Sequence, residues 1–138
     1  AVDTRYDLED VVSHQGITIR STPVPAATNI RILADGCDVV GIDEAQFFDA
    51  DIAHVVELLA NSGKRVIIAG LDMDFRGIPF GPMPFLMCKA EYITKLHAIC
   101  VKCGGLAQYS YRKIHEENTV LLGEKETYEP RCRKCFHD

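Results

Sequence analysis

Two uninterrupted apolar runs of strand length stand out along the chain, Val39-Val40-Gly41-Ile42 and Val66-Ile67-Ile68-Ala69. Runs of this kind suit strands buried on both faces. Between them Ile52, Val55, Val56 and Leu59 recur at i, i+3, i+4 and i+7, the spacing of one apolar helix face. Asp49 or Asp51 stands where that helix needs a cap, and Gly63 where it must end. Strand, helix and strand in close succession predict a parallel crossover unit. Upstream, Ala1 to Ser21 is polar and broken, a loop leading into a strand near Ile17 to Arg20. Pro23 and Pro25 then punctuate, and Thr28 is placed to cap a short helix through Leu33 that Gly36 ends.

After Leu71 the texture changes. Gly77, Pro79, Gly81, Pro82 and Pro84 alternate with Phe75, Phe80 and Phe85, which predicts an irregular loop in place of a helix or central strand. An aromatic loop at the carboxyl end of a parallel strand lies where α/β proteins bind ligands. From Tyr92 onward β-type residues and Cys-Gly turns dominate, and Tyr92–Ile99, Gln108–Lys113 and Thr119–Leu122 are predicted short strands. The chain therefore divides into an α/β domain over 1–91 and a smaller β module over 92–138.

Composition adds scale. The chain has 138 residues, 47% of them hydrophobic and 25% charged, which excludes a disordered or collagen-like polymer. A chain of this size buries roughly two-thirds of the surface it exposes when unfolded. It needs no covalent staple, so a cysteine cluster has a local purpose. Fifteen basic against twenty acidic residues give a net charge of -5, which argues against nucleic acid or an anionic membrane as partner. No apolar run approaches the roughly 18 residues of a membrane span, and Ala1-Val2-Asp3-Thr4-Arg5 is no signal peptide. The expected location is cytoplasmic. The absence of an initial Met leads us to expect an N-terminally incomplete chain.

Three constellations carry chemistry. The first is Cys100-x-x-Cys103 with Cys132-x-x-Cys135, two pairs whose four thiolates match the corners of a tetrahedral Zn²⁺ site. Residues 104–131 between the pairs exceed the about 15–20 of a usual ribbon, so a loop makes an excursion there. Four sulfurs with no open position point to a structural metal. Disulfides, a redox pair, or His137 in place of Cys135 are the alternatives. Cys37 and Cys88 stay outside this scheme.

The second is Asp43-Glu44 at the end of the first apolar run. Phosphoryl transfer needs an acid to assist Mg²⁺ and a base to take a proton from the attacking hydroxyl, and adjacent acids at a strand tip can divide those roles. Strand-end acids are equally common as solubilising groups, and the companion phosphate loop, Gly-x-x-x-x-Gly-Lys-Ser/Thr, is absent from these residues. The third is the loop from Gly70 to Pro82, whose phenylalanines on a Gly/Pro backbone can stack on a base or sugar. Each Phe taken singly reads more simply as a seal on the core edge.

Taken together, Ile42-Asp43-Glu44-Ala45-Gln46-Phe47-Phe48, Ala69-Gly70-Leu71-Asp72, Phe75-Arg76-Gly77 with Pro79-Phe80-Gly81-Pro82, Thr94-Lys95-Leu96, and the Cys pairs around Tyr128-Glu129-Pro130-Arg131 resemble the cytosolic-type, zinc-containing thymidine kinase family. The likeness runs in order through nearly the whole chain. It implies a P-loop-NTPase-like α/β fold, a parallel sheet with flanking helices, plus a small zinc-binding β module that lids the nucleoside. In that family a phosphate loop precedes the segment resembling Asp3-Thr4-Arg5-Tyr6, and the resemblance therefore implies that these residues alone do not catalyse.

The implied reaction moves the γ-phosphoryl of ATP, with Mg²⁺, to the 5′-hydroxyl of thymidine. Glu44 matches the general base and Asp43 the acid that assists the metal, and Asp43, Glu44, Ala45 and Gln46 match a segment lining the nucleotide site. Phe47, Leu71, Phe75 and Phe80 match walls of the thymidine pocket. Tyr128 matches an aromatic over the nucleoside, and Ser110 a small hydroxyl residue flanking the 5-methyl group. Thr119, Val120, Leu121, Leu122 and Gly123 match a loop whose backbone bonds the thymine edge. Asp3 and Arg5 match residues near the phosphates and 5′-hydroxyl. The family further implies structural Zn²⁺ at Cys100, Cys103, Cys132 and Cys135, inhibition by thymidine triphosphate and a homotetramer. The competing readings are a P-loop ATPase with a zinc ribbon, which would not need the aromatic loop and Tyr128, and a non-enzymatic zinc-ribbon adaptor.

Overall fold

The computed structural model describes residues 10–12, 15–16, 18–113 and 127–138. Asp3, Arg5, Thr119, Val120, Leu121, Leu122 and Gly123, and with them the expected strand Thr119–Leu122, lie outside the described residues. The chain forms two compact units, Ala1–Ala69 and Gly70–Asp138.

The first unit holds the crossover. Strand β3 (Val39–Ile42) pairs in parallel with β4 (Arg65–Ile68), Val39 opposite Arg65 and Ile42 opposite Ile68. Helix α2 (Asp51–Asn61) connects them and buries Ile52, Val55, Val56 and Leu59, the four positions the periodicity singles out. Asp49 acts at the helix start: its Oδ1 accepts the Asp51 N–H at 3.0 Å, while Ala50 occupies the cap position itself. At the other end Gly63 takes φ 90°, a left-handed turn that L side chains resist, and donates to the Ala60 carbonyl.

Helix α1 (Ala27–Leu33) packs on α2 through buried Ala27 and Ile30, and Gly36 follows it at φ 74°. The expected Thr28 cap is corrected. Ala26 is the last extended residue (φ -146°, ψ 152°), the helix begins at Ala27, and the Ala26 carbonyl accepts the Asn29 N–H, so Thr28 lies one residue inside. Strand β2 (Thr18–Arg20) falls where expected, and it pairs antiparallel with β1 (Asp10–Val12), which the broken polar pattern hid.

The expectation of strands buried on both faces is also corrected. Ile42 is buried, but Val39 and Ile67 are 55% and 54% exposed. The described sheet has only β3 and β4, and helix covers one face of it.

In the second unit the Pro/Phe stretch contains a helix the composition argued against, α3 (Met83–Lys89). Its prolines fall at the entrance: Pro82 precedes the first residue and Pro84 sits in the first turn, where a missing N–H costs nothing. Met83 and Leu86 anchor it, while Phe85 stays exposed. The expected strand Tyr92–Ile99 contracts to β5 (Ala98–Ile99), because only these two residues find a partner, β6 (Leu106–Ala107); Tyr92 and Leu96 are 88% exposed. The predicted strand at Gln108–Lys113 is β7 (Tyr109–Arg112), paired antiparallel with β8 (Tyr128–Arg131). A last short helix, α4 (Arg133–His137), follows directly.

Candidate active site and metal centre

Strand β3 ends in the two acids, and the backbone breaks sharply there. Glu44 takes φ 53°, ψ 39°, the left-handed conformation, and is the one non-glycine residue with positive φ among the described residues. Such a conformation costs on the order of 1–3 kcal/mol and persists only where its surroundings enforce it. Here they do. The Glu44 N–H donates to Asp43 Oδ1 at 2.9 Å, the Ala45 N–H donates to the Ala69 carbonyl beyond β4 at 3.0 Å, and a single turn of 3₁₀ helix, Ala45–Phe47, follows.

Ala45 and Gln46 are buried, Asp43 and Glu44 exposed. The Gln46 side-chain amide donates to Glu44 Oε2 at 2.7 Å. A buried amide thus aims an exposed carboxylate at the carboxyl end of a parallel strand, the position where α/β sheets hold ligands. The arrangement has what a general base requires, a carboxylate with solvent access and a fixed direction. Asp43, at the same tip, is a second exposed carboxylate of the kind Mg²⁺ accepts alongside phosphate oxygens. Phe47, in the 3₁₀ turn of the same unit, is 38% exposed.

The second unit carries the metal centre. The turn between β5 and β6 presents Cys100 and Cys103, tightened by Gly104 N–H to the Cys100 carbonyl (2.9 Å) and Cys100 N–H to the Gly105 carbonyl (2.8 Å). Cys132 and Cys135 flank the start of α4, where the Cys135 N–H points at the Cys132 sulfur at 3.5 Å. A backbone bond from Val101 N–H to the Pro130 carbonyl at 3.1 Å ties the two knuckles together.

All four sulfurs lie within 4.8 Å of one another. Cys103 Sγ and Cys132 Sγ are 3.6 Å apart, too far for an S–S bond of about 2.05 Å and close to the about 3.8 Å edge of a tetrahedron with 2.3 Å metal–sulfur bonds. The donor set and spacing therefore fit a tetrahedral metal such as zinc. His137 is outside this cluster; its ring stands edge-on to Tyr109 and Phe136.

Backbone N–H groups of Cys132, Cys103 and Lys102 pull Cys100 down to about 6 against the opposing effect of burial. The Cys135 backbone N–H lowers Cys132. Cys135 is pushed up to about 12, first by its hydrogen bond to the Cys132 sulfur and then by burial. Cys135 thus keeps its proton at neutral pH, and a metal binding there must displace it.

Charged pairs support this module. Arg131 donates from Nε and Nη2 to Glu129 Oε1 (2.8 and 2.6 Å), lies 3.3 Å over the Tyr111 ring, and gives Nη1 to the Cys135 carbonyl at 3.2 Å. It thereby braces the second knuckle. Tyr109 stacks on Phe136 at 4.4 Å, and Gly77 at φ 74° approaches so closely that a Cβ there would stand 3.0 Å from the Tyr109 ring.

Of the expected pocket residues in this unit, Phe75 lies beneath the Arg112 guanidinium at 4.3 Å. Tyr128 is directly opposite Arg112 across the β7–β8 ladder, and Ser110 is two residues before it, on the same strand face. Phe80 is half-buried, its N–H bonded to the Asp72 carbonyl, and Leu71 is 51% exposed. Arg112 and Asp74 are given no role by the sequence reading, and Arg76 and Arg131 none beyond their place in the quoted motifs. Isolated charges in polar stretches carry no periodicity that would mark them.

A strained acid turn at the end of a parallel strand and a four-cysteine centre in a β module define an α/β protein with a zinc-type structural site and an exposed, directed carboxylate. The family model described as thymidine kinase matches residues 1–136. A thymidine kinase of Bacteroides fragilis is 57% identical over 136 residues, 99% of this chain and 68% of the relative. One from Bacteroides thetaiotaomicron gives the same figures. A thymidine kinase of a Rhodothermus species is 57% identical over 135 residues, 98% of this chain and 63% of its own length. The chain belongs to the thymidine kinase family, and it spans about two-thirds of the length of these relatives.

Proposed function

We propose that the protein is an ATP:thymidine 5′-phosphotransferase in which Glu44 is the general base. The observation that carries this reading is Glu44 itself, held in a left-handed turn at the end of β3 with its carboxylate fixed by buried Gln46, in a chain of the thymidine kinase family. The 5′-hydroxyl proton passes to the Glu44 carboxylate as the 5′-oxygen bonds to the γ-phosphorus. The bond from that phosphorus to the β–γ bridging oxygen breaks, and ADP leaves. Phosphoryl transfer asks the protein chiefly for positioning and charge stabilisation, and the Gln46 hydrogen bond supplies the first at the base. Asp43 is the residue that would hold Mg²⁺, which when bound neutralises charge on the phosphates.

The four cysteines hold one structural Zn²⁺ per chain. It fixes both ends of the segment between Cys103 and Cys132, and Ser110 and Tyr128 with it. Thymidine triphosphate inhibition, a homotetramer and a cytoplasmic location belong to the same proposal and rest on the family resemblance.

The test is phosphate transfer from Mg-ATP to thymidine by the complete gene product, run beside Glu44→Gln. Thymidine monophosphate should form with the first, and turnover should fall by on the order of 10²–10⁴-fold in the second, with little change in thymidine affinity. Release of ADP without a nucleotide product would replace this reading with that of a hydrolase.

A further inference from the structure

Two arginines of the second unit, Arg76 and Arg131, share a pattern from which Arg112 departs. Arg76 gives Nε and Nη2 to Asp74, and Arg131 gives its guanidinium to Glu129 and the Cys135 carbonyl. Each is what a structural arginine looks like, a planar fork matched to acceptors. Arg112 is more deeply buried than either, at 5% exposure. Its Nε, Nη1 and Nη2 are all buried, and none has a hydrogen-bond partner among the described residues. The Phe75 ring covers one face of the guanidinium at 4.3 Å and leaves the N–H edges directed elsewhere.

A buried cation without an acceptor is among the least favourable arrangements in a protein. It is retained where something else supplies the acceptor. The surroundings indicate what that is. Ser110 shares the strand face of Arg112, Tyr128 stands across the ladder from it, and Phe75 lies against it. These are three of the residues of this unit that resemblance assigns to the nucleoside. On the opposite face Tyr109 and Tyr111 are already occupied by Phe136 and Arg131. The face that holds Arg112 is thus aromatic with two hydroxyls, those of Ser110 and Tyr128, and its single charge can only donate hydrogen bonds. A flat, neutral ring carrying carbonyl oxygens is the complement.

We infer that Arg112 is a nucleoside-binding residue, which holds the Phe75 ring in place and donates its guanidinium N–H groups to an oxygen acceptor of the bound pyrimidine nucleoside. The inference rests on the proposed thymidine site but is tested by binding, independently of turnover. In the complete gene product, thymidine affinity is measured by calorimetry for the wild type, Arg112→Met and Arg112→Lys, with thermal unfolding recorded for each. Met keeps the length and apolar stem of the side chain and removes the uncompensated charge, so the unfolding midpoint should hold or rise.

Thymidine affinity should fall by about 10- to 100-fold in Arg112→Met, as expected for loss of hydrogen bonds from a charged donor, with KM for ATP unchanged. Lys, a point charge without the planar fork, should recover only part of the loss. In Arg112→Ala, millimolar guanidinium should restore thymidine binding. Unchanged thymidine affinity in Arg112→Met overturns the inference, as does a loss that comes with a lowered midpoint and no rescue by guanidinium. A wild type that binds thymidine without phosphorylating it would overturn the proposed reaction instead, and the same binding series would still decide the role of Arg112.

Discussion

The two units reach a folded state by different physics. In the first, the residues removed from water are almost all aliphatic: Ala27, Ile30, Ala34, Ile42, Ile52, Val55, Val56 and Leu59 are buried, with Gln46 the polar exception. In the second, the buried apolar residues among those described are Met83, Leu86, Ala107, Tyr109 and Cys100, and Asp74, Arg112 and Thr127 are buried as well. Sulfur donors, ion pairs and stacked rings stand beside this smaller apolar set among the described residues. The comparison teaches where function sits in each: on a strained turn braced by an aliphatic core in one, on polar groups that also hold the fold in the other.

The largest effect that sharpens this contrast is metal removal. Folding energy in small metal-bound modules is largely metal-binding energy, with apparent values of about 10–16 kcal/mol for structural zinc in isolated fingers. Titrating the full chain with a strong chelator should therefore strip hydrogen-exchange protection from amides of β5, β6, β7 and β8 while those of β3, β4 and α2 remain protected. Metal analysis before chelation should give one zinc per chain. Loss of protection in both units at the same chelator concentration would show that the two are not separate in this sense. Cys103→Ser should reproduce the chelator's effect.

A smaller effect probes the other side. Ile52 is fully buried at 0% exposure in the face of α2 that covers the sheet. Ile52→Ala removes its packing and leaves a cavity, at a cost of about 2–5 kcal/mol. Urea unfolding should show this loss in the β3–α2–β4 unit, with zinc stoichiometry and the protection of β7 and β8 unaltered. Zinc loss in this variant would break the comparison.

The same contrast explains what could be read from the sequence. Ile52, Val55, Val56 and Leu59 were legible because a helix buried on one face must repeat near every 3.6 residues, and Cys100, Cys103, Cys132 and Cys135 because a tetrahedral ion needs paired donors. Local rules sufficed in both. The exposure of Val39 and Ile67 was not legible, since an apolar run does not say how many of its faces will be covered. Helix α3 was hidden because prolines that break a helix interior are harmless at its entrance. The strand expected over Tyr92–Ile99 failed because β pairing depends on a distant partner, and only Ala98 and Ile99 have one. At the candidate site, Asp43-Glu44 could be read as a strand-tip acid pair, but neither the left-handed turn at Glu44 nor the Gln46 bond that aims it follows from composition. Arg112 at the end of Tyr109-Ser110-Tyr111-Arg112 carries no mark of its burial in the sequence, which the fold of the Phe75 loop against it shows.

The smallest effect concerns that loop. Asp74 is buried at 6% exposure and accepts from the Arg76 backbone N–H (2.8 Å), from Arg76 Nε and Nη2 (3.1 and 2.7 Å) and from the Ile78 N–H (3.3 Å). Burial alone would raise its pKa, but the Arg76 side chain, then the two backbone donors and the Arg76 charge, outweigh it and hold the carboxyl below its ordinary value. A folded pKa below the unfolded one means that the folded state binds the proton more weakly. The resulting stability is present in full above about pH 4, the unfolded carboxylate range, and is lost as pH falls through the folded value. Asp74→Asn removes this linkage and leaves one acceptor oxygen where there were two. Unfolding midpoints of the second unit, measured with metal bound at pH 6 and again on stepping down from pH 4, should therefore fall less steeply in Asp74→Asn than in the wild type, although the variant starts lower at pH 6. Parallel pH profiles for the two proteins would mean that Asp74 contributes only packing, and that the polar groups of this unit are passengers on its metal and its stacked rings.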